Sequence, residues 1–145
     1  METLEYAGVL HDVGKIGIDS QLLEKPGALT EAEWEIMRQH PAFGANLLKE
    51  IAFLEKASTL VLCHHERYDG SGYPGGLKGN DIPMGARLIA VADAFDTMTT
   101  DRAYRPAMTT ERALKEMEDC AGKQFCPMAV RSFVTGLRVS LGTGQ

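Results

Sequence analysis

The sequence predicts a single all-α domain. Apolar residues recur at helical spacing through most of the 145 residues, and no useful length of chain alternates apolar and polar residues as a strand does. Five of the fifteen glycines lie between positions 70 and 79, which predicts one long loop among the helices. The hydrophobic fraction of 44% and the charged fraction of 24% are typical of a globular protein.

Periodicity, caps and breakers place the helices in order. The first carries Leu4, Ala7, Val9 and Leu10 on an apolar face, and Gly14 is expected to end it. Residues 16–27 predict a connector, residues 30–33 predict a capping box, and Pro41 predicts a further helix start after a bend. The remaining helices are predicted at Leu54–Glu66, Gly85–Met98, Glu111–Cys120 and Met128–Val139.

The predicted loop from Asp69 to Pro83 is unusually long for a compact domain. Loops of this length are usually functional. Glycines on both sides of Tyr73 permit tight turns, which favours a positioning or docking role over catalysis by the loop itself.

Charge and cysteine content exclude several classes of protein. A net charge of −5 argues against binding to polymeric nucleic acid or to anionic membranes, because both favour basic patches. No apolar run is long enough for a transmembrane helix, and the acidic N-terminus is unlike a signal peptide. The three cysteines form no CxxC pair, so we expect a cytoplasmic protein with Cys63 as a core thiol rather than a zinc ligand.

The histidines and aspartates predict a metal site. His11 precedes Asp12 at one helix end, and His64 precedes His65 at another. Asp93 lies in a strongly apolar helix, so we expect its carboxylate to be buried and therefore paired or bound to metal. Borderline divalent metals bind imidazole and carboxylate together, and Asp12 is the natural bridge between two of them.

Several of these segments match a known family. Residues 11–15, HDVGK, match the HD-domain signature, and residues 64–76, HHERYDGSGYPGG, closely resemble the HD-GYP signature. The resemblance continues through 40–44, 82–83, 91–96, 101–105 and 121–125, and covers roughly residues 5–135. The chain therefore resembles the HD-GYP family over nearly its whole length.

The resemblance implies an HD-domain helical bundle that hydrolyses the bacterial second messenger cyclic di-GMP to pGpG, GMP or both. It implies two iron or manganese ions and attack on phosphorus by a metal-bridging hydroxide. The implied ligands are His11, Asp12, His40, His64, His65 and Asp93.

The resemblance also assigns roles around the substrate. Asp12 and Lys15 are implied to be catalytic, with Lys15 contacting phosphate, while Arg102, Arg105 and Tyr73 are implied to bind the substrate. An alternative for the two arginines is salt bridging with Asp96 or Asp101, and both roles are compatible. The GYP loop is implied to dock partners, notably GGDEF-domain cyclases.

One departure from the family bears on activity. Family members carry a further metal-ligating histidine upstream of the HD motif, and none precedes His11 here. We therefore expect an impaired first metal site and weak or no hydrolysis by a truncated catalytic fragment. Apolar surface left on Leu4, Val9 and Leu10 is expected to favour self-association.

Two other functions stay open at this point. A non-enzymatic cyclic di-GMP receptor or docking module would retain the loop with an incomplete metal site. An HD hydrolase of another nucleotide is disfavoured by the intact GYP loop and by residues 101–105.

Overall fold

The computed structural model describes residues 1–102 and 105–142. Within these ranges the chain forms α-helices and short 3-10 turns and no β-strand, which confirms the all-α prediction. The helices are α1 Glu2–Leu10, α2 Ser20–Leu23, α3 Glu31–Met37, α4 His40–Lys49, α5 Glu55–Cys63, α6 Met84–Thr99, α7 Thr110–Asp119 and α8 Pro127–Ser140. None of the helices in the described ranges combines the length and the hydropathy needed to span a membrane.

Helix α6 joins two apolar cores. Ile89 packs into a core with α1, α4 and α5, where Ala7, Leu48 and Val61 are buried. Two residues later, Val91 packs into a second core built from α7, α8 and the turn before α8. Asp93 is therefore carried by the one helix that both cores hold in place.

The sequence predicted most helix limits closely. The predicted limits of α6, α7 and α8 lie within one residue of the observed ones at each end. The Thr30 capping box is confirmed, with Glu33 Oε2 accepting from the Thr30 amide at 2.7 Å. Pro41 lies in the first turn of α4, as expected from its missing amide proton.

The predicted C-terminal ends of α5 and α1 and the predicted apolar face of α1 are wrong. Helix α5 stops at Cys63 rather than Glu66, because the amide of Glu66 bonds back to the carbonyl of Cys63 at 3.0 Å and closes the helix with a turn. Helix α1 ends at Leu10, before Gly14. Val9 is 83% exposed, whereas Leu4 and Leu10 pack against the core, so most of the apolar face of α1 is covered.

Gly14 has a different function from the predicted helix stop. It is buried in the 3-10 turn Val13–Gly17, which lies directly against the start of α4. A Cβ atom on Gly14 would overlap the carbonyl oxygen of His40 and lie 2.6 Å from the amide nitrogen of Gly44. The absence of a side chain therefore lets the segment after α1 approach His40.

We expect Gly14→Ala to destabilise the protein by about 1–3 kcal/mol, because overpacking of backbone against backbone has no flexible side chain to relax. Gly8→Ala is the matched control, since a Cβ atom there meets nothing within 4 Å. An alanine in that helix is expected to be neutral or stabilising by up to ~1 kcal/mol. Urea unfolding measures both, and equal stabilities of the two variants would contradict the packing argument.

Candidate metal centre

Three helix ends bring the histidines together. His11 directly follows α1, His40 is the first residue of α4 and comes three residues after the end of α3, and His64 directly follows α5. His65 is the next residue, and its ring centroid lies 5.0 Å from that of His40. The fold thus collects all four histidines of the chain at one place.

Hydrogen bonds to the backbone orient three of these rings. The Nδ1 atoms of His11, His40 and His64 lie 2.7, 2.7 and 2.6 Å from the carbonyl oxygens of Gly8, Met37 and Val61. Because a carbonyl oxygen only accepts, Nδ1 must carry the proton in each ring. Each Nε2 atom is then left with a lone pair and no proton when the ring is neutral.

The three Nε2 atoms are buried and have no hydrogen-bond partner among the described residues. A buried polar atom without a partner costs on the order of 1–3 kcal/mol. A metal ion removes this cost, and a backbone hydrogen bond at the opposite nitrogen is the usual support of a metal-ligating histidine. The residues present therefore fit a metal ion.

Four ligand atoms form the main group. One atom each from Asp12, His40, His64 and His65 lies within 4.8 Å of all the others. This set combines imidazole nitrogen with carboxylate oxygen, which is the chemistry that iron, manganese and zinc accept.

The Asp12 carboxylate links this group to a second, smaller one. Its Oδ1 atom lies 3.3 Å from His40 Nε2, while its Oδ2 atom lies 3.6 Å from His11 Nε2. The same His11 nitrogen lies 3.5 Å from Asp93 Oδ1. The two oxygens of Asp12 therefore face different donor groups, which is the arrangement that a bridging carboxylate requires.

The pKa values of the histidines differ between the four-ligand group and the smaller group of His11 and Asp93. Burial lowers the pKa of His64 to about 4 and that of His65 to about 3, so both rings are neutral at pH 7. The Asp93 carboxylate, whose Oδ1 atom lies 3.5 Å from His11 Nε2, raises the pKa of His11 to about 8, and the His11 ring lowers the pKa of Asp93. Burial acts to raise the pKa of Asp12, but the adjacent His40 ring and Lys15 ammonium outweigh it and hold that pKa well below its usual range.

Lys15 lies at the edge of both groups. Its ammonium donates to Asp12 Oδ2 at 2.7 Å from the 3-10 turn that follows Asp12. Its proposed contact with phosphate stays a prediction.

Asp93 differs from its prediction. Its side chain is 33% exposed rather than buried, although it lies in the apolar helix α6. It points toward the rim of the site, where His11 is its partner. Asp96, one turn later, is exposed.

A cavity of about 500 Å³ opens beside the histidines. Tyr73 from the GYP loop lines it, and its ring stacks on His65 with the centroids 5.0 Å apart and the planes 24° apart. Asp93, Thr97 and Arg105 line the opposite wall. This space is adjacent to the candidate metal ligands, and its lining carries the cationic side chains of Arg67 and Arg105 together with the carboxylates of Glu66, Asp93 and Glu116.

The two arginines lie close together through a backbone bridge. Arg102 and Arg105 form a short antiparallel bridge, with reciprocal backbone bonds of 3.0 and 3.1 Å. Both guanidinium groups converge on Thr97, Arg102 at the hydroxyl and Arg105 at the carbonyl oxygen. Among the described residues neither pairs with Asp96 or Asp101, and of the two only Arg105 lines the cavity. Ala103 and Tyr104 of this motif lie outside the described residues.

Sequence reasoning missed Glu66 and Thr97. Glu66 is 5% exposed, and its carboxylate binds loop amides, while Thr97 holds both arginines. A carboxylate directly before a glycine-rich loop was the available signal for Glu66.

Cys63 is buried with a pKa raised by burial, as expected for a core thiol.

Comparison with known proteins places the chain in one family. A family model described as HD domain matches residues 1–128. A cyclic di-GMP phosphodiesterase of Thermotoga maritima is 44% identical over 133 residues, which cover 90% of this chain and 36% of the relative. The cyclic di-GMP phosphodiesterase response regulator RpfG of Xanthomonas campestris is 44% identical, over 92% of this chain and 36% of its own length.

Two further proteins are similar. A 3'3'-cGAMP-specific phosphodiesterase of Vibrio cholerae is 40% identical over 80% of this chain and 25% of its own length. The crystal structure of a cyclic GMP-AMP-specific phosphodiesterase from Vibrio cholerae superposes with a TM-score of 0.68 at 20% identity, and the match covers 99% of this chain and 40% of that one. The chain thus spans about a third of the length of the first two relatives. By these matches and by its HD and GYP motifs, the chain belongs to the HD domain family, in its HD-GYP branch.

Proposed function

We propose that this chain is the catalytic part of a metal-dependent phosphodiesterase that hydrolyses cyclic di-GMP. The observation that carries the proposal is the set of three buried, unpartnered Nε2 atoms around Asp12, beside a cavity lined by Arg105. In the reaction, water adds to phosphorus, the bond from phosphorus to the ribose 3′ oxygen breaks, and that oxygen takes up a proton. One cut yields pGpG and two cuts yield GMP.

The metal ligands are proposed as two sets that share Asp12. His40, His64 and His65 complete the four-ligand set, and His11 with Asp93 completes the other. We assign iron or manganese to them, one ion in each set. Bound ions supply positive charge for the phosphate oxygens and make water nucleophilic at neutral pH.

The chain's own residues then orient the substrate. Lys15 donates to Asp12 beside the candidate metal ligands, so its ammonium would balance the negative charge that grows on the oxygens of a phosphate bound there. Arg105 offers a planar fork for phosphate or for a guanine edge, and its bond to the Thr97 carbonyl holds it on the cavity wall. Arg102 supports Arg105 through their bridge and through Thr97.

Cyclic GMP-AMP is the second candidate substrate, favoured by the 40% identical relative named for it. The test uses the purified chain loaded with Mn²⁺, or with Fe²⁺ in the absence of oxygen. Each dinucleotide is incubated with an excess of the protein, so that even slow turnover can be measured. Liquid chromatography identifies pGpG, GMP or linear GMP-AMP, and calorimetry measures binding. Metal-dependent binding of cyclic di-GMP without any product would favour the receptor function, and neither binding nor product would contradict both.

The loop partner and self-association stay predictions. A GGDEF-domain protein is the proposed partner of the GYP loop, and a pull-down with purified cyclase tests it. Self-association now rests on Val9 alone of the three residues first considered. Gel filtration over a range of concentrations measures it.

We expect the purified chain to retain at least one divalent transition metal, measured by elemental analysis after loading and desalting. His65→Ala removes one of four donors and is expected to weaken binding by about 100-fold or more, beyond the 10–100-fold typical of losing a supporting partner. His11→Ala is the matched control, because it leaves the four-ligand set intact. Equal metal loss in both variants, or no metal in the wild-type chain, would contradict the assignment.

Lys15→Ala is expected to lower turnover by about 10²–10³-fold, as loss of a preorganised electrostatic donor does. Its effect on stability should stay within about 1 kcal/mol, because the Lys15–Asp12 pair is more than a third exposed. Lys25→Ala is the control, since it removes a similar lysine–carboxylate pair, with Glu33, away from the site. Single-turnover kinetics and urea unfolding are measured for the wild-type chain and for both variants. Unchanged turnover in Lys15→Ala would refute a catalytic role for Lys15.

A further inference from the structure

The proposed reaction does not use Glu66, although it is a buried carboxylate next to His65. Its Oε1 atom accepts from the amide of Gly75 at 2.6 Å, and its Oε2 atom accepts from the amide of Leu77 at 3.0 Å. Both oxygens are therefore engaged with the GYP loop. Among the described residues Glu66 is also outside the cluster of possible metal ligands.

Further contacts bind the same loop to the chain around Glu66. The amide of Tyr73 donates to the carbonyl of His65 at 3.3 Å. A Cβ atom on Gly72 would lie 2.6 Å from both Glu66 Cα and His65 O, so the loop backbone lies directly on this segment. Residues 72–77 and 65–66 thus form one packed unit.

This unit fixes the Tyr73 ring. The ring stacks on His65 and lines the cavity, and burial raises its pKa to about 12, so the phenol stays neutral. We propose that Glu66 is a positioning residue that holds the GYP loop in place and thereby keeps Tyr73 against His65 on the cavity wall. Its effect on substrate rests on the proposed function.

Glu66 suits this position because both of its carboxylate oxygens accept hydrogen bonds. The two loop amides donate to these two oxygens. Glutamine has the same shape but replaces one acceptor with a donor, so that one loop amide would face an N–H group. Glu66→Gln therefore tests the interaction without leaving a cavity.

The first readouts need no substrate. In metal-free Glu66→Gln, hydrogen exchange of the amides in residues 72–77 is expected to rise about tenfold, with exchange in the helix interiors unchanged. The ring-proton NMR signals of His65 are expected to lose the ring-current shift from Tyr73 and to approach those of Tyr73→Ala. Glu33→Gln is the matched control, because Glu33 also accepts a backbone amide but lies on α3, away from the loop.

The second readout is a double-mutant cycle on cyclic dinucleotide affinity and on turnover per bound metal. Glu66→Gln is expected to weaken affinity about tenfold, within the range measured for directly coupled residues. In the Tyr73→Ala background the same change is expected to add less than about twofold, whereas a purely structural role would give the full effect again.

The outcomes separate the two proposals. Unchanged loop exchange and an unchanged His65 spectrum in Glu66→Gln, or independent effects in the cycle, would overturn the positioning role. If the wild-type chain binds neither cyclic di-GMP nor cyclic GMP-AMP, the proposed function fails, and the exchange and NMR results still decide the placement of Tyr73 by Glu66.

Discussion

The site depends on one repeated interaction, in which a histidine Nδ1–H donates to the carbonyl oxygen three residues before it. Gly8, Met37 and Val61 supply these carbonyls from the last turns of α1, α3 and α5, where carbonyl groups lack helical partners. Each ring therefore caps a helix and at the same time directs its Nε2 atom inward. The three helices also end at the site, and the partial negative charge of their C-termini favours a cation there.

This arrangement needs close approach of the chain segments that carry the rings. Gly14 permits it on one side, because the turn after α1 lies against the His40 carbonyl with no room for a side chain. Helix α6 fixes the other side, since Ile89 and Val91 anchor it in two cores before Asp93 reaches the rim. The stability of the fold and the geometry of the ligands are therefore coupled at the backbone, not only at the ligand side chains.

Helix periodicity and caps predicted the helices well, and the HD and HHE motifs indicated which side chains would lie together. His40, His64 and His65 converge with Asp12, and His11 lies on the other side of Asp12. Their role as metal ligands stays a prediction. The exposure of Asp93 was not predictable from its apolar neighbours, since it depends on where α6 emerges from between two cores. Glu66 was missed because its partners are backbone amides of the loop, so that its place shortly before the glycine-rich segment was the only signal in the sequence. The shared contact of both arginines with Thr97 was missed for a related reason: it depends on a bridge between residues 102 and 105 rather than on a helical repeat.

The two donor groups differ in a way that orders their roles. In the four-ligand group His40 and His64 are buried, and burial lowers the pKa of His64 and of His65, so that these two rings are neutral at pH 7. The group of His11 and Asp93 is more open, and Asp93 holds a proton on His11 when no metal is bound. An ion entering there must displace that proton and compete with Lys15 for Asp12 Oδ2. If the proposed function holds, the four-ligand group would hold a resident ion, and the more open group, next to Lys15, would couple metal binding to the binding of substrate phosphate.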